Sequence, residues 1–394
     1  MKKSMSNSIN VTDDPFLIIK KIVLLFGLDI QYNIRRLRTW NSKLRMFYEK
    51  CVALLWFCFI VKSIVTFFSY DIDSGESVTA KVSRKLNDII AFSVWAMLVM
   101  KRKNIFRLFK DIHALGIDLN VRLTSPILYV GLVTILAIPL FEWLFKTLPM
   151  QNDDCKILVK YYSVNIMSTQ NCKPWYFIAL FETFFSYTVR TFYAVTYIIL
   201  CWALRRILNS HSSGKSDMVR NLSLSYDPHR FEHYLVKNES IIQVLKYFEK
   251  TMSFPIFLIE IGDLFEMFLG LTWLNFRRKV TKDIWLLRYS IGTCFSAVRA
   301  LVFFLCVSLA AASVHEGSEK CKDAQGIILK NALYSKPKVN TRDIIHLLIL
   351  HQTPTFKLSA SGFFYFTKGL VLSAIGSVLT YSLLIIQQVD DYKS

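Results

Sequence analysis

Seven long apolar runs alternate with short polar connections along the 394 residues. They fall at Cys51 to Tyr70, Lys85 to Met100, Ile127 to Leu148, Trp175 to Leu204, Phe254 to Phe276, Leu286 to Val314 and Gly362 to Gln388. A helix rises about 1.5 Å per residue and about 20 apolar residues cross a hydrocarbon core, so the pattern predicts seven transmembrane helices. An earlier amphipathic stretch, Phe16 to Ile30, is interrupted by Lys20 and Lys21. It is too short for a span and lacks the small-residue cleavage site of a signal peptide, which leaves a cytosolic helix at the membrane surface.

Helical periodicity runs on beyond several spans. It continues past Arg205 and Arg206 after the fourth, occupies Phe231 to Lys250 before the fifth, and extends from Gly317 to Leu333 after the sixth. With Thr341 to His351, a short apolar helix ahead of Pro354, these extensions predict a cytosolic helical bundle; separate amphipathic ends lying on the membrane are the alternative. The chain thus divides into a cytosolic segment 1–50, a six-helix transmembrane bundle 51–314, a cytosolic linker with a short anchor helix 315–360, and a last helix with a short tail 361–394.

The last run has the most patterned surface. Taking Gln387 as the origin and 100° per residue, Gly369, Ser373, Gly376, Thr380 and Leu383 fall within about 40° of it. The other faces carry Phe, Leu, Ile and Val. A small, hydroxyl-bearing stripe suits close helix packing in a membrane, and it equally suits a pore wall.

Composition agrees with a polytopic membrane protein: 53% hydrophobic, 14% aromatic and only 20% charged, with a mean hydropathy of +0.35. The net charge of +19 does not point to nucleic acid, because the basic residues sit in short segments between apolar runs. The N-terminal segment and the second, fourth and sixth connections hold 31 of the 48 lysines and arginines, and the opposite connections with the tail hold 12 when Lys85 and Arg288 at the edges of their runs are counted with them. That asymmetry predicts an inside N-terminus and an outside C-terminus. A G-protein-coupled receptor, the alternative from another class, has the reverse orientation. No acidic-Arg-aromatic triplet follows the third span and no Asn-Pro-x-x-Tyr lies in the seventh.

Of eight cysteines, Cys155 and Cys172 alone share an expected extracellular segment, so a disulfide there is one option. The sequons at Asn10, Asn221 and Asn238 fall on expected cytosolic segments and should be unused. No enzyme constellation emerges. His229 and His233 have i, i+4 spacing, but Arg230-Phe231-Glu232 between them does not match a zincin motif, and neither a metal nor a cofactor is expected. Ionisable residues within spans should face protein or water. Glu260 and Asp263 share a face of the fifth helix. Asp263 is expected to pair with Arg299, with Arg190 an alternative partner for Glu260. Glu142 and Lys146 are placed to satisfy each other, and Lys62 and Lys368 either snorkel or pair.

The closing segment Thr380-Tyr381-Ser382-Leu383-Leu384-Ile385-Ile386-Gln387 resembles the Thr-Tyr-five-apolar-Gln signature of insect gustatory receptors. Gly362-Phe363-Phe364, Gly376, the chain length, the seven spans and the inside N-terminus fit that family too. One position departs from it: Gln388 stands where the family usually has Phe. The resemblance implies a tetrameric ligand-gated cation channel, homomeric or heteromeric with other gustatory subunits, in the plasma membrane of chemosensory neurons. Monovalent cations, with divalent ones as an option, would pass along the seventh helix, with Ser373, Gly376, Thr380, Leu383, Leu384, Gln387 and Gln388 at the pore and gate. A pocket for a small organic tastant, open to the outside, would be placed by depth at Trp95, Trp143, Glu182, Phe185, Trp273 and Tyr289, where Glu182 would attract a cationic ligand. Some of those aromatics also suit an interfacial belt. The sugar-sensing branch often has an acid after Thr-Tyr, and Ser382 here turns the implied ligand towards bitter or other aversive compounds. Sugar-type and odorant-type receptor channels are the alternatives.

Overall fold

The computed structural model describes residues 40–69, 78–121, 126–147, 173–214, 228–279, 284–334 and 340–391, with Ile19, Ile22 and Gly27 ahead of them. Eight helices are found among these residues: α1 (Trp40–Ser69), α2 (Val78–Asp118), α3 (Pro126–Thr147), α4 (Lys173–Ser213), α5 (Pro228–Lys279), α6 (Ile284–Tyr334), α7 (Thr341–Gln352) and α8 (Lys368–Asp391). Each of the seven apolar runs falls on a helix. Three stretches, Met46–Phe68, Pro174–Ser213 and Ile291–Tyr334, are long and apolar enough to cross a membrane on length and composition, and Tyr129–Phe145 and Lys368–Leu384 are shorter apolar segments. Most of Phe16 to Ile30 lies outside the described residues, although Ile19 is buried in the main core.

The central element is α4, whose side chains are almost all buried from Ser186 to Leu208. It packs against α2, α3, α5 and α6, while α5 and α6 pack along each other and α1 rests on α2. The start of α5 and the end of α6 also run as a pair. There Phe231, Tyr234 and Leu235 of α5 and Ile328, Leu329 and Ala332 of α6 close around Leu347 of α7 in a separate apolar cluster. His211 at the end of α4 stacks on Tyr234 with ring centroids 4.5 Å apart. Burial, reinforced by Lys237, pushes this imidazole down to about 4, so it carries no charge at neutral pH.

The 52-residue helix α5 runs through Pro255 without ending. Proline has no N–H for the carbonyl four residues earlier, here that of Thr251. Lys101 of α2 supplies the missing donor, reaching the Thr251 carbonyl at 3.2 Å and that of Lys250 at 3.1 Å.

One boundary differs from the sequence pattern. The last helix begins at Lys368, not at Gly362, because a two-stranded hairpin comes first: β1 (Ser359–Ala360) pairs antiparallel with β2 (Phe364–Tyr365). The turn needs positive φ at Ser361 (54°) and Gly362 (79°), a conformation that excludes a helix and that glycine adopts without strain. Phe366 is then buried, and Thr367 caps α8, its side-chain oxygen accepting from the Leu370 N–H at 3.2 Å. A Cβ at Gly362 would meet nothing within 4 Å, so Gly362→Ala should cost only the backbone term, about 1 kcal/mol. A small fall in the thermal midpoint of purified protein with unchanged expression is the expected result.

Candidate functional site

Helix α8 touches the rest of the chain along one side only, packing against α5 and less extensively α6. Val371 and Ser382 are buried, and Ala374 and Val378 lean on the small core of Met267, Ala300 and Phe304. The small, polar stripe points away from that contact. Gly369, Ser373, Gly376, Thr380, Leu383 and Gln387 are all exposed, and so are Tyr381 and Leu384 on its flank. A Cβ built on Gly376 meets nothing within 4 Å, so its smallness serves no packing inside this subunit. The hydroxyls donate inward: Ser373 to the Leu370 carbonyl at 3.0 Å and Thr380 to the Gly376 carbonyl at 2.8 Å. Their oxygen lone pairs are left facing outward as acceptors, and the exposed Gln387 amide adds an acceptor and two N–H donors. The side chain of Gln388 lies outside the described residues.

The base of α8 is tied down. Lys368 pairs with Glu316 of α6 at 2.6 Å, and Lys368, Arg205 and Lys320 hold this carboxyl below its ordinary range. In the preceding linker Ser359 donates to Glu249 of α5 at 2.6 Å, Ser318 of α6 accepts from the Phe356 N–H at 2.9 Å, and Phe363 stacks on Phe257 with centroids 4.5 Å apart.

A buried ion cluster crosses the centre of the helical bundle. Arg190 of α4 binds Asp263 at 3.0 Å and Glu266 at 2.9 Å, both on α5, and donates to the Asn87 side-chain oxygen of α2 at 3.1 Å. Arg299 of α6 binds Glu266, lies 3.5 Å from Glu142 of α3 and 3.8 Å from Asp263. Ser296 also donates to Glu142. Gly262 makes room for this arrangement, since a Cβ there would sit 2.9 Å from an Arg190 terminal nitrogen. The expected Asp263–Arg299 pair is thus present but long, and Arg190, expected beside Glu260, instead takes Asp263 and Glu266. Glu142 is engaged by Arg299 and Ser296; the Lys146 side chain lies outside the described residues. Glu266 was missed, although it is one turn from Asp263 and its spacing was the available signal.

The expected ligand-pocket residues separate into three groups. Trp95 and Phe185 come together around Trp56 of α1, which the sequence gave no reason to single out: Trp95 stacks on it at 5.4 Å and Phe185 meets it edge-on at 5.6 Å. These rings fill one another's space. Glu182 is not a free anion for a ligand, since Lys62 of α1 pairs with it. Trp143 sits one residue from Glu142 and is half-buried. The side chains of Trp273 and Tyr289, and both Cys155 and Cys172, lie outside the described residues. Among the described residues no group of acids, histidines or cysteines is arranged to hold a metal.

A family model described as 7tm chemosensory receptor matches residues 24–390. The chain belongs to this family of chemosensory receptors. It is a receptor family, not an enzyme family. The receptor's fold also matches that of the insect olfactory receptor OR5 from Machilis hrabei, with a TM-score of 0.67 and 13% identity over 94% of this chain and 97% of that one. The same olfactory receptor in complex with eugenol aligns with a TM-score of 0.66, 13% identity, and coverage of 95% and 100%. No individual curated protein matches the receptor by sequence.

Proposed function

We propose that this receptor is a gustatory ligand-gated cation channel in the plasma membrane of chemosensory neurons, opened by small organic tastants of bitter or otherwise aversive character. Four subunits, identical or mixed, surround a pore lined by α8, with the N-terminus inside and the C-terminus outside. Residues 51–314 sense the ligand, 315–360 link and anchor, and 361–394 conduct. The reading rests on one observation above others: the stripe positions Gly369, Ser373, Gly376, Thr380, Leu383 and Gln387 are all exposed, and a Cβ on Gly376 would meet nothing within 4 Å. A face of glycine, serine, threonine and glutamine is poorly matched to lipid but well matched to water and ions. Leu383 and Leu384 then form the apolar constriction, below an amide collar from Gln387 and Gln388. The gustatory assignment rests on the Thr380, Tyr381 and Gln387 signature, and a small organic ligand is supported by the eugenol complex of the similarly folded olfactory receptor.

Current recorded from cells expressing the receptor, alone and with candidate partner subunits, tests the pore. Leu383→Ala should raise basal current several-fold by wetting the constriction, and Gln387→Ala should shift the relative permeability of sodium and calcium. If both variants reach the surface and leave basal current and reversal potential unchanged, α8 does not line the pore. Staining of a C-terminal tag on unpermeabilised cells checks the orientation independently.

A further inference from the structure

Glu260 stands apart from the other charges in the bundle. It is fully buried, and among the described residues neither carboxyl oxygen has a hydrogen-bond partner. It lies one turn before Asp263 on α5, within electrostatic reach of that carboxyl and of Tyr197 on α4. Asp263 has a second oxygen, Oδ2, that is also buried without a partner. Among the described residues the buried basic groups of the bundle are engaged elsewhere: Arg190 and Arg299 with Asp263 Oδ1, Glu266 and Glu142, Lys62 with Glu182, and Lys85 with Asp88 and Thr66. Among the described residues of the cluster, four carboxylates face two guanidiniums. A carboxylate left unanswered in the interior of a membrane protein is costly, and such groups mark sites where a counter-charge arrives from outside the fold.

We propose that Glu260 and the free oxygen of Asp263 form the recognition point for an organic ammonium, so that the receptor's ligands include primary or secondary amines. This rests on the ligand-gated reading above and names the class of compound for it. The ion pairs of Arg190 and Arg299 hold Asp263 in place, leaving its Oδ2 and both Glu260 oxygens as acceptors. A primary ammonium has three N–H donors and a compact head, which matches several acceptors in a closed, buried setting. A quaternary ammonium has no donor and a larger head, and should fail. The role given to Glu182 from sequence depth passes to Glu260, because Lys62 already neutralises Glu182.

The experiment uses the full-length receptor and three probes of one skeleton: 2-phenylethylamine, 2-phenylethanol and the trimethylated phenylethylammonium. Thermal unfolding of purified receptor measures binding, and current in expressing cells measures gating. The primary amine should stabilise the wild type and the other two should not. Glu260→Gln should weaken the amine effect by about tenfold or more, the loss of a charge-assisted hydrogen bond, and Glu260→Asp should retain part of it. Surface staining and the unliganded midpoint show whether each variant folds. Amine stabilisation that survives in Glu260→Gln, or a wild type that binds the alcohol as well as the amine, overturns the proposal. So does a wild type that none of the three stabilises. Amine stabilisation with no current under any condition would keep the ammonium site and remove the channel reading, so the two fail separately.

Discussion

Arg190→Leu should abolish surface expression of the receptor. The substitution leaves Asp263 and Glu266 buried with Arg299 as their one remaining guanidinium, and removing one member of a buried pair typically costs about 3–5 kcal/mol. That is a large share of the roughly 5–15 kcal/mol that holds a folded domain together. The loss should be one of charge balance and not of side-chain volume, which a second variant separates. Arg190→Gln combined with Asp263→Asn removes one charge of each sign and should recover part of the surface signal, whereas Arg190→Gln alone should not. Equal surface levels for wild type and Arg190→Leu, by staining of a tagged receptor, would mean that the cluster does not hold α4 to α5.

The second large effect is steric. Gly262 lies under the Arg190 guanidinium, and Gly262→Val would place branched carbons where that group now sits, with Ile90 of α2 closing the other side at 3.0 Å from the first added atom. Overpacking of this kind costs about 1–3 kcal/mol by itself, and here it also displaces Arg190 from two carboxylates. We expect Gly262→Val to approach the severity of Arg190→Leu and Gly262→Ala to be milder, read as the ordering of thermal midpoints in detergent. A valine variant as stable as wild type would show that the guanidinium has another place to lie.

Much of the helical architecture was legible because hydropathy reports directly on which residues meet lipid or core. The long continuations of α4, α5 and α6 beyond the apolar runs were visible as unbroken periodicity. The hairpin before α8 was not, for a definite reason: Phe363, Phe364, Tyr365 and Phe366 extend the apolar run, and hydropathy alone does not distinguish two short strands from a turn of helix. Ser361-Gly362 was the available turn signal. The stripe on α8 was legible as a period, but whether it faced inward or outward depended on neighbours far away in the chain. The ion pairs show the same limit. Depth placed Arg190, Asp263 and Arg299 at comparable levels, yet depth does not give azimuth, so the partners were assigned by proximity along the membrane normal and Arg190 was matched with the wrong acid. Lys62 and Glu182, 120 residues apart, could not be paired from sequence at all.

The hydroxyls of α8 also bear on how the protein is made. Ser373, Thr380 and Ser382 each donate to a carbonyl of their own helix, the last at 2.6 Å from Val378. A donor satisfied within its own helix enters the hydrocarbon at little penalty, since no partner on another chain is required. With these serine and threonine donors already satisfied, α8 can enter the membrane before the chain has made contact with any other.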